Sequence, residues 1–540
     1  MMLKSAQEAD KAGRLAQLGE RSLDVRKVAG SIPVPSTCRT ESRFRLHFTI
    51  SMVSYLSLMT RFLGQAVKTP PSHGGNRGSI PLGTALKPPY MRRFFLSRKY
   101  LWIMSWNDAI LKTVAGPESR IFGLSGRTSE GVVMKILVSK VGSTSLKFKL
   151  YEMPSEEVLC TGRVERVGSV DDAIFAYENR KSGYREKRTC SVPGYTEGIA
   201  AFTACMTDPV NGVLQSIDEV EAVGFKTVAS RGFYGVHELT EAVMKGMKDF
   251  MSIAPAHNAA YLEAIGCFRK MLPGVRFIGV FETAFHQTIP AKRALYSLPY
   301  EWYEKYGVRK LGYHGASHSY AASVLEELFG TTGKAVTCHL GGSGSLCAIE
   351  NGKSVDTSFG MSLQIGVSQS NRVGDLDPYV IRYLEAQGLS EDEIFETMTK
   401  KSGLLGVSGV GNDLRYIMDA MKRGNERARL AVEMFTDSIL HYIGAYAAKM
   451  GGLDNLVFTG GIGENSVYVR EQVCRKLAFL GLDFDEEANR LAGSEKTAGD
   501  RGVSMISKKN SRVRALVIPA DEEIVVGRKT YGYLLGGEGV

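Results

Sequence analysis

The sequence predicts an α/β chain made of two matching halves. Three observations carry this reading. Short apolar runs alternate with amphipathic stretches from Met134 almost to the C-terminus. The pattern G-S-x-S-L occurs twice, as Gly142-Ser-Thr-Ser-Leu146 and Gly342-Ser-Gly-Ser-Leu346, each time between two strand-like runs. Composition also breaks at Met134, so the regular pattern belongs to the last 407 residues of the 540. Strand and helix in alternation imply helices covering a mainly parallel sheet. A unit that recurs after two hundred residues implies duplication.

The elements follow in chain order. Met134–Ser139 is a short apolar run and reads as a buried strand. A glycine turn follows, and Leu146–Tyr151 alternates as a second strand. Val275–Phe281 reads as another strand. Ser317–Phe329 has helical spacing, and Ala335–Leu340 begins the second strand–turn–strand unit. Asp377–Gln387, Asn425–Lys449 and Asn465–Leu480 read as helices, and Asn455–Thr459 as a strand. A strand ends at Leu516–Pro519, and a last helix from about Asp521 is expected to return to the first half. The expected domains are 134–288, with 520–540 returning to it, and 289–519. Pro290 lies near the boundary.

Residues 1–133 read differently. They hold 20 Lys+Arg against 8 Asp+Glu, a net of +12, and 8 of the 17 prolines. The remaining chain carries 47 and 49, a net of −2. The overall +10 is therefore local, and a nucleic-acid-binding reading rests on this segment alone. Its strings GRLAQLGERSLDVRKVAGSIPVPST (13–37) and VKTPPSHGGNRGSIPLGT (67–84) resemble translated transfer-RNA genes. The expectation is a basic extension that is disordered, or an over-extended reading frame whose true start is Met134.

Eight cysteines are scattered without a CxxC pair or zinc spacing. They read as reduced thiols, which fits a cytoplasmic protein. From Met134 on no apolar run reaches the ~18–20 residues of a membrane span. Neither a membrane nor a nucleic acid is an expected partner.

Two groups of residues could carry chemistry. The first is three Gly/Ser turns at 142–145, 341–345 and 460–463. Backbone N–H groups in such turns bind anions, because glycine leaves no Cβ in the way. Thr459-Gly-Gly-Ile-Gly-Glu-Asn465 follows a strand and opens a helix, a place suited to phosphate. No GxxxxGK[ST] is present, which excludes a Walker-type loop. Singly, each turn is explained by a hairpin; together in a duplicated chain they favour a nucleotide. The second group is Glu282 and His286 after a predicted strand, His314 and His318 in GYHGASH, and Asn371, Arg372, Asp375 and Asp377 in NRVGDLDP. A lone histidine is commonly a core residue. His314 sits between glycines before a helix, where catalytic groups collect. Arg372 is either a structural ion pair or the group that neutralises a transferring phosphoryl.

Together these segments resemble the acetate kinase family, ATP-dependent kinases of short carboxylates. The matching strings are MKILVSKVGSTSLKF, IAPAHN, VFETAFHQTIP, GYHGASH, CHLGGSGSLCAIENGKSVDTS, NRVGDLDP, GNDLR, VFTGGIGENS and IPADEE. The resemblance implies duplicated ribonuclease-H-like domains of the actin-like ATPase type, with a nucleotide cleft between them. It implies ATP as co-substrate with Mg²⁺ (or Mn²⁺), a short-chain carboxylic acid as acceptor, and a homodimer. By position, Glu282, His314 and Arg372 match catalytic residues. His339, Gly341, Gly342 and Ser343 match the phosphate loop and Lys147 an ATP-contacting lysine, and Ser143 and Ser145 of the first turn are further candidate nucleotide contacts. Asp413, Leu414, Arg415, Gly461, Ile462, Gly463, Glu464 and Asn465 match the remaining nucleotide contacts, with Glu464 also the metal ligand.

Several positions depart from the family. Its first strand ends in a metal-holding Asn, here Lys140, whose ammonium has no lone pair for a metal and is an altered metal or phosphate position. The Arg that grips the acid is replaced in FKTVASRG, where Lys226 or Arg231 would take its place. A lysine offers a point charge where arginine offers a fork. The catalytic Asp is Glu282, one methylene longer. Two alternatives to the acyl kinase stay open: a weak nucleotide-binding sensor or scaffold of the same fold, and a kinase acting on a hydroxyl.

Overall fold

The computed structural model describes residues 131–493 and 502–537. The basic segment and the expectations placed on it lie outside the described residues. Everything described falls within one compact unit, Leu124–Val540.

Two sheets organise this unit. The first contains β1 (Met134–Gly142), β2 (Ser145–Met153), β3 (Glu157–Glu165), β4 (Ser169–Asn179), β5 (Arg185–Val192), β6 (Val220–Thr227), β7 (Val236–Glu238) and β8 (Arg276–Phe281). Its order is β5-β4-β3-β2-β1-β6-β8-β7. The second contains β9 (Lys334–Leu340), β10 (Gly344–Glu350), β11 (Lys353–Thr357), β12 (Asn455–Thr459), β13 (Ser504–Met505) and β14 (Arg514–Val517). Its order is β11-β10-β9-β12-β14-β13. The series β3-β2-β1-β6-β8 and β11-β10-β9-β12-β14 have the same connectivity. In each, an antiparallel hairpin leads into parallel pairs. The duplication expected from the two G-S-x-S-L turns is thus a topological repeat of the ribonuclease-H type.

The sheets are buried on both faces, so their central strands are nearly continuous apolar runs. Along β1, Leu137 and Val141 point to one core while Ile136 and Val138 point to another. That second core is shared. It joins Ile136, Ala222 and Ile278 of the first sheet to Ala335, Cys347, Val457 and Leu516 of the second. Two helices, α1 (Gly315–Phe329) and α5 (Glu522–Leu534), supply Tyr320, Val324, Leu325, Ile524 and Val526 to it. Each fully buried Leu or Phe contributes roughly 1.5–3 kcal/mol of transfer free energy. The last helix packs on β1 and β6, and Arg528 forms a two-pronged ion pair with Glu156 after β2.

Most expected elements form, among them the long helix α2 (Glu426–Met450). One boundary differs in an informative way. Asn465–Leu480 is not one helix. Gly460–Asn465 makes a short helix, α3, directly after β12. Ser466 then caps a new helix, α4 (Val467–Arg475), by accepting from the Val469 N–H. The strands β4 and β5 widen the first sheet beyond the repeat. The charged face of Arg185–Val192 hid the latter from the hydrophobic pattern. No helix among the described residues is long and apolar enough to cross a membrane.

Candidate active site

The C-terminal ends of the parallel strands from both sheets converge on one cleft, as open α/β sheets place their ligand sites. It has two connected parts. One cavity of about 800 Å³ is lined by Gly341, Gly342, Ser343, Asp413, Leu414, Arg415, Ile462 and Asn465. A second, of about 480 Å³, is lined by Lys140, Lys147, Lys226, Glu282, His314, His339 and Glu464. Ser343, Arg372 and Gly461 line both, so they mark the junction.

Local sequence explains how these groups arrive. Gly460 adopts φ 77°, and a Cβ there would press on the Leu340 carbonyl oxygen at 2.8 Å. Glycine lets the chain leave β12 in the left-handed region and turn into α3. His314 also has a left-handed backbone, φ 58°, immediately before α1. A non-glycine residue there stores about 1–3 kcal/mol of strain, which clusters at functional sites. The Gly315 N–H donates to the Glu282 carbonyl at 3.1 Å, and a Cβ on Gly315 would overlap that oxygen. This close approach brings Glu282, at the end of β8, beside His314.

At the junction Arg372 donates from Nη1 to Ser343 Oγ (3.0 Å) and Gln369 Oε1 (3.4 Å). It has no carboxylate partner among the described residues. Burial lowers its pKa, yet a guanidinium stays charged. Arg372 is thus a half-buried cation whose charge is not neutralised by the protein.

The lysines behave differently. Lys226, mostly but not fully buried, reaches Glu522 Oε1 at 2.9 Å and Glu282 Oε1 at 3.4 Å. Lys140 reaches the other oxygen, Glu522 Oε2, at 2.7 Å. Glu522 thus has one ammonium on each oxygen. Its pKa is driven well down by Lys226 and Lys140 despite its burial. Glu282 is pushed up by burial, against the pull of Lys226. Neither Glu282 oxygen has a hydrogen-bond partner. Beyond its ion pair with Lys226, this buried carboxyl at the cleft wall keeps hydrogen-bonding capacity for a ligand.

Imidazoles line the opposite wall. His314 and His339 stand with ring centroids 4.1 Å apart. Burial lowers both, His339 to about 4 and His314 well below its ordinary value, so both are neutral near pH 7. His257, lowered to about 4 by burial and by the nearby Arg372 and Lys226, also faces the cleft.

The site revises several expectations. Arg231 is exposed and lines neither cavity, because a tight turn closed by the Ser230–Phe233 bridge carries it away. Lys226 is in the cleft, but its charge is taken by two carboxylates. Ser143 and Ser145 lie at the tip of the β1–β2 hairpin rather than in the cavity wall, while Lys140 and Lys147 of that hairpin face each other across the ladder and line it. Gly463 is buried, and its carbonyl accepts from Arg470 Nη1. Sequence reasoning passed over Glu522. Its signal was an acid in the first turn of the last helix, within IPADEE.

Among the described residues no group of three or more His, Cys, Asp or Glu is placed to hold a metal. Glu464, the expected ligand, uses Oε1 to accept from the Gly460 and Ala520 N–H groups at 2.8 and 2.9 Å. Glu522 is occupied by the two lysines. These residues do not fit a divalent ion held by the protein itself.

Comparisons with known proteins agree with this geometry. The family model described as "Acetokinase family" matches residues 135–528. The acetate kinase of Bacillus subtilis (strain 168) is 42% identical over 399 residues, covering 73% of this chain and 98% of its own. The acetate kinase of Geobacillus kaustophilus is 42% identical over 401 residues, with the same coverage. Among solved structures, Porphyromonas gingivalis acetate kinase is 40% identical with a TM-score of 0.66, over 74% of this chain and all of that one. A propionate kinase from Francisella tularensis is 29% identical with a TM-score of 0.65, over 73% and 98%. With its repeated sheets, its two-part cleft and a family match over 135–528, this chain belongs to the acetokinase family.

Proposed function

We propose that this protein transfers the γ-phosphoryl group of ATP to the carboxylate of acetate, or a close short-chain acid, giving an acyl phosphate and ADP. The observation that carries the reading is Arg372: a cation without an acidic partner at the junction of the two cavities. The larger cavity suits the nucleotide, with the Gly341–Ser343 and Gly461 turns beside the phosphates. The smaller suits the acid, whose short tail would lie near Val228 and Leu363.

A carboxylate oxygen attacks the γ-phosphorus in line while the bond to the β,γ-bridging oxygen breaks. The acceptor is already nucleophilic, so catalysis is positioning and charge neutralisation. Arg372 takes charge on the equatorial oxygens, and the neutral imidazole of His314 donates a hydrogen bond to them. Glu282, pushed up by burial and paired with Lys226, lines the acid's cavity and helps orient the acid there. Lys226 acts on the acid only through this cluster, since its own charge is balanced. Mg²⁺ or Mn²⁺ enters as part of the nucleotide substrate, on phosphate oxygens and water, as Mg²⁺ commonly does. The homodimer implied by the family resemblance belongs to the same reading, and sedimentation equilibrium would test it.

The deciding experiment incubates the protein with ATP, Mg²⁺ and hydroxylamine against formate, acetate, propionate and butyrate. Hydroxamate formed from one or more acids is the expected result. ATP binding with no hydroxamate from any acid would instead select the weak nucleotide-binding sensor. The lysine-capped Glu522 is the observation that favours that second reading.

A further inference from the structure

Behind His314 lies a short series of buried polar groups. His314 Nδ1 and Ser345 Oγ are 2.9 Å apart. The same Ser345 Oγ is 2.9 Å from His318 Nε2. His318 Nδ1 is in turn 2.7 Å from Thr337 Oγ1. Ser345, His318 and Thr337 are wholly buried. They come from three elements: the β10 strand, the α1 helix and the β9 strand. On β9 the two-residue alternation turns Val336, Cys338 and Leu340 to the outer core and leaves Thr337 and His339 facing α1.

The count of protons restricts this series. A serine hydroxyl carries one proton, so Ser345 can donate to only one of the two imidazoles. Its Oγ is wholly buried and has only these two rings as hydrogen-bond partners among the described residues, so its proton goes to one ring and the other ring donates to it. With both rings neutral, two arrangements remain. In the first, Ser345 donates to His314 Nδ1 and accepts from His318 Nε2–H, and Thr337 donates to His318 Nδ1. In the second, every bond is reversed, and His314 turns a bare Nε2 lone pair to the cleft. The two histidines therefore share one tautomer, both Nε2–H or both Nδ1–H. Burial lowers the pKa of both rings, which keeps each to a single proton.

We propose that Ser345, His318 and Thr337 are positioning residues that hold His314 as its Nε2–H tautomer, so that an N–H and not a lone pair meets the phosphoryl oxygens. The choice of direction rests on the acyl kinase reading, because a lone pair facing a phosphate would repel it. The coupling of the two tautomers rests on the hydrogen-bond geometry and on each buried ring carrying one proton. The partner on one ring nitrogen sets the form of the other, as at many catalytic histidines.

The test reads tautomers directly. Long-range ¹H–¹⁵N spectra of the full-length, ligand-free protein near pH 7.5 would be recorded, with His314→Gln and His318→Gln used only for assignment. Both rings are expected as Nε2–H. In Thr337→Val, which removes the far donor without touching the cleft, His314 should become a mixture. Ser345→Ala should do the same, and Ser345→Thr should restore the single form. In the hydroxamate assay Thr337→Val should lower turnover at least about tenfold, with KM for the acid within about twofold. A wild-type His314 in the Nδ1–H form, or different tautomers on the two rings, overturns the proposal. So does a Thr337→Val protein that keeps pure Nε2–H. If the wild type forms no hydroxamate but its tautomers shift as expected, the chain stands and the kinase reading alone fails.

Discussion

Lys140, on the first strand, and Glu522, at the start of the last helix, meet at 2.7 Å inside the cleft although 382 positions separate them in sequence. Lys226 takes the other oxygen of the same carboxylate. Around Glu522 the first-sheet wall of the cleft is therefore a charge cluster balanced by Glu522 and Glu282, while Arg372 and Lys147 line the cleft with no carboxylate partner among the described residues.

Removing the shared carboxylate should be costly. Glu522→Gln leaves two ammonium groups facing each other in a mostly buried place. Breaking a buried pair by deleting one partner costs about 3–5 kcal/mol. Urea unfolding should show a loss of that order. Lys140→Met, whose lysine is about one-third exposed, should cost clearly less. Equal losses from the two variants would contradict the bridging role.

Metal binding should require the nucleotide. With both Glu522 oxygens on lysines and Glu464 Oε1 on backbone N–H groups, the described residues offer no ready-made divalent site. Electron paramagnetic resonance of free Mn²⁺ should show no binding at micromolar concentrations until ATP is added. Stoichiometric Mn²⁺ binding to the nucleotide-free protein would refute this.

Arg372→Ala should lower turnover at least about a hundredfold, the scale of losing one preorganised charge donor. Nucleotide affinity should change by only a few-fold, because the turns at 341–343 and 461 remain. Isothermal titration with ADP separates the two effects. Turnover within tenfold of wild type would remove Arg372 from the chemistry.

Acid should destabilise the fold through its buried imidazoles. His286 is wholly buried, and its pKa falls to about 4 from an ordinary 6.5. The unfolded chain then binds more protons between those values, so stability is complete above pH 6.5 and declines as pH drops toward 4. One such group contributes about 3 kcal/mol across the window. Glu282 runs the other way: its raised pKa favours the folded state at low pH, and that contribution is lost as pH rises through it. Thermal melts from pH 7.5 to 4.5 should fall steadily, and His286→Asn, if folded, should flatten the slope.

Much of the architecture was legible from residue order. The G-S-x-S-L turns announced the repeat, and the apolar runs at 134–139, 335–340 and 455–459 are the central strands. These features are local: a period, a turn residue, a run length. Strand β5 was not legible, because an edge strand with a charged face lacks the alternation that betrays a half-buried one. The helix expected over 465–480 was misjudged because Ser466 stops one helix and caps the next.

The site divides along the same line. Sequence alone determined the family, the nucleotide turns, and the candidacy of Glu282, His314 and Arg372, since each rests on residue types within a few positions of one another. Only the tertiary structure decided which cations are free. Lys226 and Arg231 were equivalent candidates in the string FKTVASRG; folding neutralised one against Glu522 and Glu282 and turned the other to solvent. Likewise nothing local links Thr337, His318, Ser345 and His314. Charge balance and proton order depend on what stands within a few ångströms, and those neighbours come from strands and helices that are distant along the chain.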